Sequence, residues 1–251
     1  MGICKLCLTE KLLINKSHII PNFMYRDLYD EHHKLRFIST CNIVGNNLQI
    51  KKHSSGIYEG GLLCSDCDSK LLGHKYEDYA SKLIYGTVLP INIVPVCENH
   101  KGSEGLKVTI CKNINYKLFK LFLLSLLWRS GISTSPFFKR VQLGSHQEEL
   151  RKMILYGDPG DVIDYPIIIA SYLTSQTVPQ DLISSPRRIK TKEGFNIYKF
   201  VIGGLIYFFY VNSANHKPPK IILDSTINKK NEMTIIHIPE NKALDIILRS
   251  I

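Results

Sequence analysis

The chain has 251 residues, 44% of them hydrophobic and 22% charged, with 32 Lys and Arg against 22 Asp and Glu for a formal net charge of +10. That balance excludes an intrinsically disordered chain, and the length suits one large domain or two small ones. The longest apolar run, Leu118 to Trp128, is interrupted by Lys120 and falls short of the roughly 20 residues a bilayer span needs; no secretory leader precedes Cys4, so a cytoplasmic protein with reduced thiols and no membrane association is expected.

Cys4-Lys5-Leu6-Cys7 is a tight turn, and the segment from Lys11 to Pro21 is a strand-like arm. Pro21 suits the first turn of a helix, and Ile20, Met24 and Leu28 carry its four-residue spacing to about Tyr29. From His32 to Gly61 the chain is polar and broken by glycines, which predicts a long loop or a loose hairpin. Cys64 to Cys67 opens a second helix with Leu72, Tyr76, Tyr79, Ala80, Leu83 and Ile84 on one face, stopped by Gly86.

Beyond residue 90, INIVPVCE and GLKVTICK predict a hairpin. Residues 115–131 predict a core helix, and Ser145 with Glu148 three residues on predicts a capping box that starts an amphipathic one. Residues 165–173, 195–202, 205–211, 220–224 and 234–238 all have strand-like patterns, and Gly203-Gly204 marks a hairpin turn. Helices mixed with antiparallel strands give an α+β class.

Charge divides the chain unevenly. Residues 1–100 hold 11 Lys and Arg against 10 acids, whereas 101–251 hold 21 against 12. The expected organisation is therefore a cysteine-bearing unit at 1–100 and a basic α+β unit at 101–251. A basic surface selects polyanions, nucleic acid above all; a lysine-rich chain can also simply reflect base composition. Lys51 and Lys52, and Arg187, Arg188 and Lys190, are the candidate phosphate contacts, with a solvated charge run as the alternative for each.

Two CxxC pairs, Cys4/Cys7 and Cys64/Cys67, supply four thiolates of the kind that close a tetrahedral structural zinc site. The 56 residues between Cys7 and Cys64 must loop out and return. Cys67 sits where a helix begins, and a helix N-terminus stabilises a thiolate. Neither pair has the βαβ setting of a redox motif. Cys41, Cys97 and Cys111 are expected to be isolated, buried thiols.

The order of first knuckle, Ser17-His18-Ile19-Ile20-Pro21 arm, second knuckle and helix resembles a treble-clef (ββα-metal-like) endonuclease of the HNH type, in the form whose two CxxC pairs hold zinc. The resemblance covers about residues 1–85. It implies that His18 is the general base, and that Asp68, directly after Cys67, helps to hold a catalytic Mg²⁺ or Mn²⁺ distinct from the zinc. It also implies a nucleic-acid substrate, with DNA preferred over RNA, and an association with phage defence or mobile elements. The chain departs from the family where Ser17 stands in place of a carboxylate or second histidine. Leu71 and Leu72 stand where a further acid is found, leaving Asp66, His74 and Glu77 as alternatives, and Asn42, Asn46 and Asn47 compete for the family's asparagine. His18 can instead be a packed histidine bracing the knuckle, and Asp68 a helix cap. The rival functions are an inactive, zinc-stabilised nucleic-acid-binding module and a protein-interaction module; a homodimer or a regulatory protein partner is compatible with any of the three.

Overall fold

The computed structural model describes residues 1–44, 47–86, 89–102, 105–211 and 217–248, and side chains throughout these except at 39–44, 47–49, 92 and 248. Strand β1 (Gly2–Ile3) and strand β2 (Glu10–Lys11) pair antiparallel around the first CxxC. β3 (Ser17–His18) pairs later in the chain with β6 (Tyr58–Glu59). Between them β4 (Leu35–Val44) and β5 (Asn47–His53) form a long antiparallel hairpin, so the polar stretch resolves as a hairpin rather than a loop.

A continuous helix follows. It winds wide, in π fashion, over Asp66–Glu77 and tightens into α1 (Asp78–Tyr85), and Gly86 ends it with a left-handed φ of 63°. The helix expected from Pro21 to Tyr29 is only a 3-10 turn at Asn22–Tyr25, because Ile20, Met24 and Leu28 find the core without further winding.

β7 (Val96–Lys101) and β8 (Lys107–Lys112) form the expected hairpin. Cys97 faces Cys111 directly across it, and the two are disulfide-bonded. The expectation of isolated thiols fails at this pair because strand register, invisible in the spacing, brings them together. Cys41 lies outside the described side chains.

Helix α2 (Tyr116–Ile132) is buried from Phe119 to Ser130, as a helix apolar on every side must be. Asn115 caps it by accepting the Leu118 N–H at 2.9 Å. Its two interior charges are engaged. Lys120 donates to the Asp161 carbonyl at 2.6 Å and to the Tyr116 hydroxyl at 3.0 Å, and burial pulls its pKa down to about 7. Arg129 belongs to the site described below.

Helix α3 (His146–Tyr156) begins at Ser145 as expected, but no side-chain cap forms there. Ser145 has taken a helical conformation, and Glu148 turns to Arg151 at 2.7 Å instead. Residues 220–224 are not a strand: α4 (Lys220–Ser225) starts after Pro219. β10 (Leu182–Lys190) was hidden from pattern by its serines and charges.

With β9 (Ile167–Ser171), β11 (Asn196–Ile202), β12 (Leu205–Val211) and β13 (Met233–His237), these strands make one nine-stranded sheet in the order β5-β4-β10-β11-β12-β9-β13-β8-β7. Most pairings are antiparallel; β4 with β10 and β9 with β13 run parallel. The sheet therefore takes strands from both sides of residue 100. Alternation along the strands builds two cores. Tyr198, Phe200, Tyr207 and Phe209 face α2 and the cysteine-bearing module, whereas Val201, Ile206 and Tyr172 face α5 (Glu240–Leu248). Lys199, on the second face, donates to the Ile246 carbonyl at 2.6 Å near the end of α5. The molecule is thus α+β with a large, mostly antiparallel sheet. No described helix is long and apolar enough to cross a membrane.

Candidate metal centre and the His18 strand

The two knuckles close on each other. The ligand atoms of Cys4, Cys7, Cys64 and Cys67 all lie within 4.8 Å of one another, compatible with a zinc site. Backbone geometry sets this up. The Leu8 N–H donates to the Cys4 carbonyl at 2.9 Å, with Leu8 in the left-handed region at φ 56°, and the Asp68 N–H donates to the Cys64 carbonyl at 2.9 Å. The knuckles are tied together by the Lys5 N–H on the Leu62 carbonyl at 2.9 Å and the Ile14 N–H on the Leu63 carbonyl at 2.9 Å. Cys4, Cys64 and Cys67 are buried and Cys7 is partly exposed.

Ionisation is uneven. Burial opposes the Cys7 thiolate, but hydrogen bonds from Thr9, Cys4 and Cys67 outweigh it and bring that thiol down to about 6. Burial pushes Cys64 and Cys67 up, and the neighbouring Cys4 adds to the effect. Four crowded thiols resist sharing negative charge, and a bound cation removes that resistance.

His18 follows on β3, half-buried, opposite Tyr58 on β6. Its ring meets the Tyr58 ring edge-on, with centroids 6.1 Å apart. Burial lowers the His18 pKa, the Glu77 and Asp68 carboxylates pull it back up, and Arg129 and Lys16 push it down; the net is a shift toward the neutral imidazole. Ser17, fully buried, donates from Oγ to Asp68 Oδ1 at 2.5 Å. The residue before the histidine and the residue after the last cysteine are therefore in contact.

Arg129 joins this group from α2. Only 2% exposed, it donates from Nη1 to Glu77 Oε1 at 2.7 Å and to the His18 carbonyl at 3.0 Å, while Ser125 holds the rest of its guanidinium. The available signal was a cation within an otherwise apolar helix, since a buried charge needs a partner. Among the three alternative acids and bases, Glu77 lies at this site. Asp66 pairs with Lys11 and Lys70 on the exposed side, and His74 is exposed. The side chains of Asn42, Asn46 and Asn47 lie outside the described residues.

The candidate phosphate contacts lie on two strands, β5 and β10, with β4 between them. Lys51 is exposed, opposite Phe37 on β4, and Lys52 pairs with Asp30 at 2.9 Å. Arg187, Arg188 and Lys190 lie further along the sheet on β10, past an irregularity between Ser184 and Arg187, and Arg188 bonds to Asn196 Oδ1 at 2.9 Å. Among the described residues, the four cysteines are the one group of three or more His, Cys, Asp or Glu side chains whose ligand atoms converge.

No family model, curated protein or solved structure gives a significant match to the chain. What the site can do follows from its own residues. It offers four converging thiols compatible with a zinc site, an imidazole shifted toward its neutral form, two carboxylates beside it, and a buried guanidinium that fixes one of them.

Proposed function

We propose that the chain is a metal-dependent nuclease of the HNH type, with a treble-clef zinc module around the four cysteines packed on the nine-stranded sheet to which both sides of residue 100 contribute. The contact that carries this reading is Ser17 Oγ on Asp68 Oδ1 at 2.5 Å, which draws the His18 strand against the start of the helix that the cysteines anchor. Zn²⁺ on the four thiolates would hold strand and helix in place. His18, favoured in its neutral form, would take the proton from an attacking water. Asp68, through the oxygen that Ser17 leaves free, and Glu77 are the residues to hold a catalytic Mg²⁺ or Mn²⁺, which would offset charge on the phosphate. Water and substrate oxygens would complete the shell, as Mg²⁺ commonly allows.

One observation favours the second reading, an inactive nucleic-acid-binding module. Both acids are already engaged, Glu77 by Arg129 and Asp68 by Ser17.

A cleavage assay decides between the two. Wild-type protein with Mg²⁺ or Mn²⁺ should cut at least one of duplex, single-stranded or branched DNA or RNA, and His18→Ala should abolish the cut while retaining one zinc per chain. Equal cleavage by His18→Ala, or none by wild type, would overturn the nuclease reading.

A further inference from the structure

Beside the His18–Tyr58 pair lies a cleft of about 550 Å³ whose walls include Lys51, His53, Tyr58 and Phe137. Its walls are tied to the site. Directly paired residues on adjacent strands project to the same face, so the His18 and Tyr58 rings share a side. Glu59, next in the chain, accepts from Ser133 Oγ at 2.7 Å and Thr134 Oγ1 at 2.6 Å, which fixes the turn that carries Phe137. Gly56 and Ile57, which line the cleft, rest on the buried Tyr25: its hydroxyl accepts the Ile57 N–H at 3.1 Å, and a Cβ on Gly56 would lie 2.1 Å from its ring.

Two kinds of surface meet here. Tyr58 is 42% exposed, Phe137 is partly buried, and the rings of His53, Phe37 and Phe137 follow one another edge to face at 5.0 Å and 5.4 Å. Lys51 and His53 are exposed at the rim, and Lys139 and Arg140, two and three residues past Phe137, are exposed as well. Aromatic faces suit base stacking, and cations at the rim suit the phosphates on either side of a base. A base within a regular duplex has both faces covered by its neighbours and cannot present one to Tyr58 or Phe137.

Resting on the nuclease reading, we propose that this cleft receives an unpaired nucleotide adjoining the scissile phosphate. The substrate class is then single-stranded or locally unstacked nucleic acid rather than continuous duplex. The volume is within the range of built ligand sites.

The test uses the full chain, zinc-loaded, without added divalent cation or chelator. Fluorescence anisotropy is read with labelled oligothymidine, oligouridine and a duplex of the same length. The single strands should bind more tightly than the duplex. Tyr58→Ala should weaken single-strand binding about tenfold and leave duplex binding unchanged, since stacking contributes to one and not the other; Lys51→Ala should weaken both. Equal or tighter duplex binding, or an equal loss on both from Tyr58→Ala, would overturn the proposal. Because Phe137 supports Phe37, its role is read without mutation: photocrosslinking of 5-iodouridine oligonucleotides to wild type should map to Tyr58 or Phe137, and crosslinks elsewhere alone count against the cleft. The two DNA and RNA strands separate the sources of the chemistry. Cleavage lost in His18→Ala, with binding indifferent to Tyr58, would sink the cleft and spare the nuclease; Tyr58-dependent binding with no cleavage would do the reverse.

Discussion

Ser17 ties the His18 strand to the helix that follows the second pair of cysteines. A serine is a poor ligand for Mg²⁺, yet its hydroxyl is buried and reaches the Asp68 carboxylate at 2.5 Å. A hydrogen bond to a charged group typically contributes about 1.5–3 kcal/mol, so Ser17→Ala should lower unfolding stability by about that amount in a urea titration. It should also slow cleavage, because Asp68 loses the donor that orients it. His18 gives a pH signature. Its pKa lies below the ordinary histidine value of about 6.5, so the neutral base is present above that pH and is lost only on further acidification. Cleavage should rise with pH through a midpoint below 6.5 and then level off, as measured under single-turnover conditions. A midpoint well above 6.5 would mean another group is the base.

At the scale of elements, the β11–β12 turn shows how local chemistry and packing combine. Gly203 and Gly204 take φ of 59° and 78°, and a Cβ on Gly204 would lie 2.2 Å from Leu173 Cδ2. Gly204→Ala therefore meets both a backbone penalty and a clash, and should cost about 1–3 kcal/mol, read as a lower denaturation midpoint with an unchanged slope. Alternation and glycine pairs made this hairpin legible from sequence. β10 was not legible, because Ser184, Ser185 and Pro186 break its apolar rhythm while still lying buried in the sheet. Residues 220–224 erred the other way. Apolar residues in a short run do not distinguish strand from helix, and Pro219 settled it by opening α4. The register of β7 on β8 paired Cys97 with Cys111, which no spacing rule foretells.

On the scale of the whole molecule, α2 ties the cysteine-bearing module to the sheet. Arg129 reaches from that helix to Glu77 and to the His18 carbonyl. Removing one partner of a buried ion pair leaves the other uncompensated, so Arg129→Ala should cost about 3–5 kcal/mol. A double-mutant cycle with Glu77→Gln should show a coupling that additive stability changes would refute. Metal removal acts at the same scale. Stripping the ion should melt the first knuckle and the His18 strand together, seen as lost near-UV circular dichroism, and acid should weaken retention because thiolates must be deprotonated to bind.

The four-thiol cluster, the core helix and the α+β class were legible along the chain, because each is written in short-range spacing: two residues between cysteines, an apolar run with no polar face, alternation along strands. The folded chain selected Glu77 from the alternative acids beside His18, brought Arg129 to hold it, and placed the strands from residues 35 to 53 at one edge of the sheet. Those are contacts between residues dozens of positions apart, set by strand register and by the need to pair every buried charge, and neither condition leaves a mark at a fixed distance along the chain.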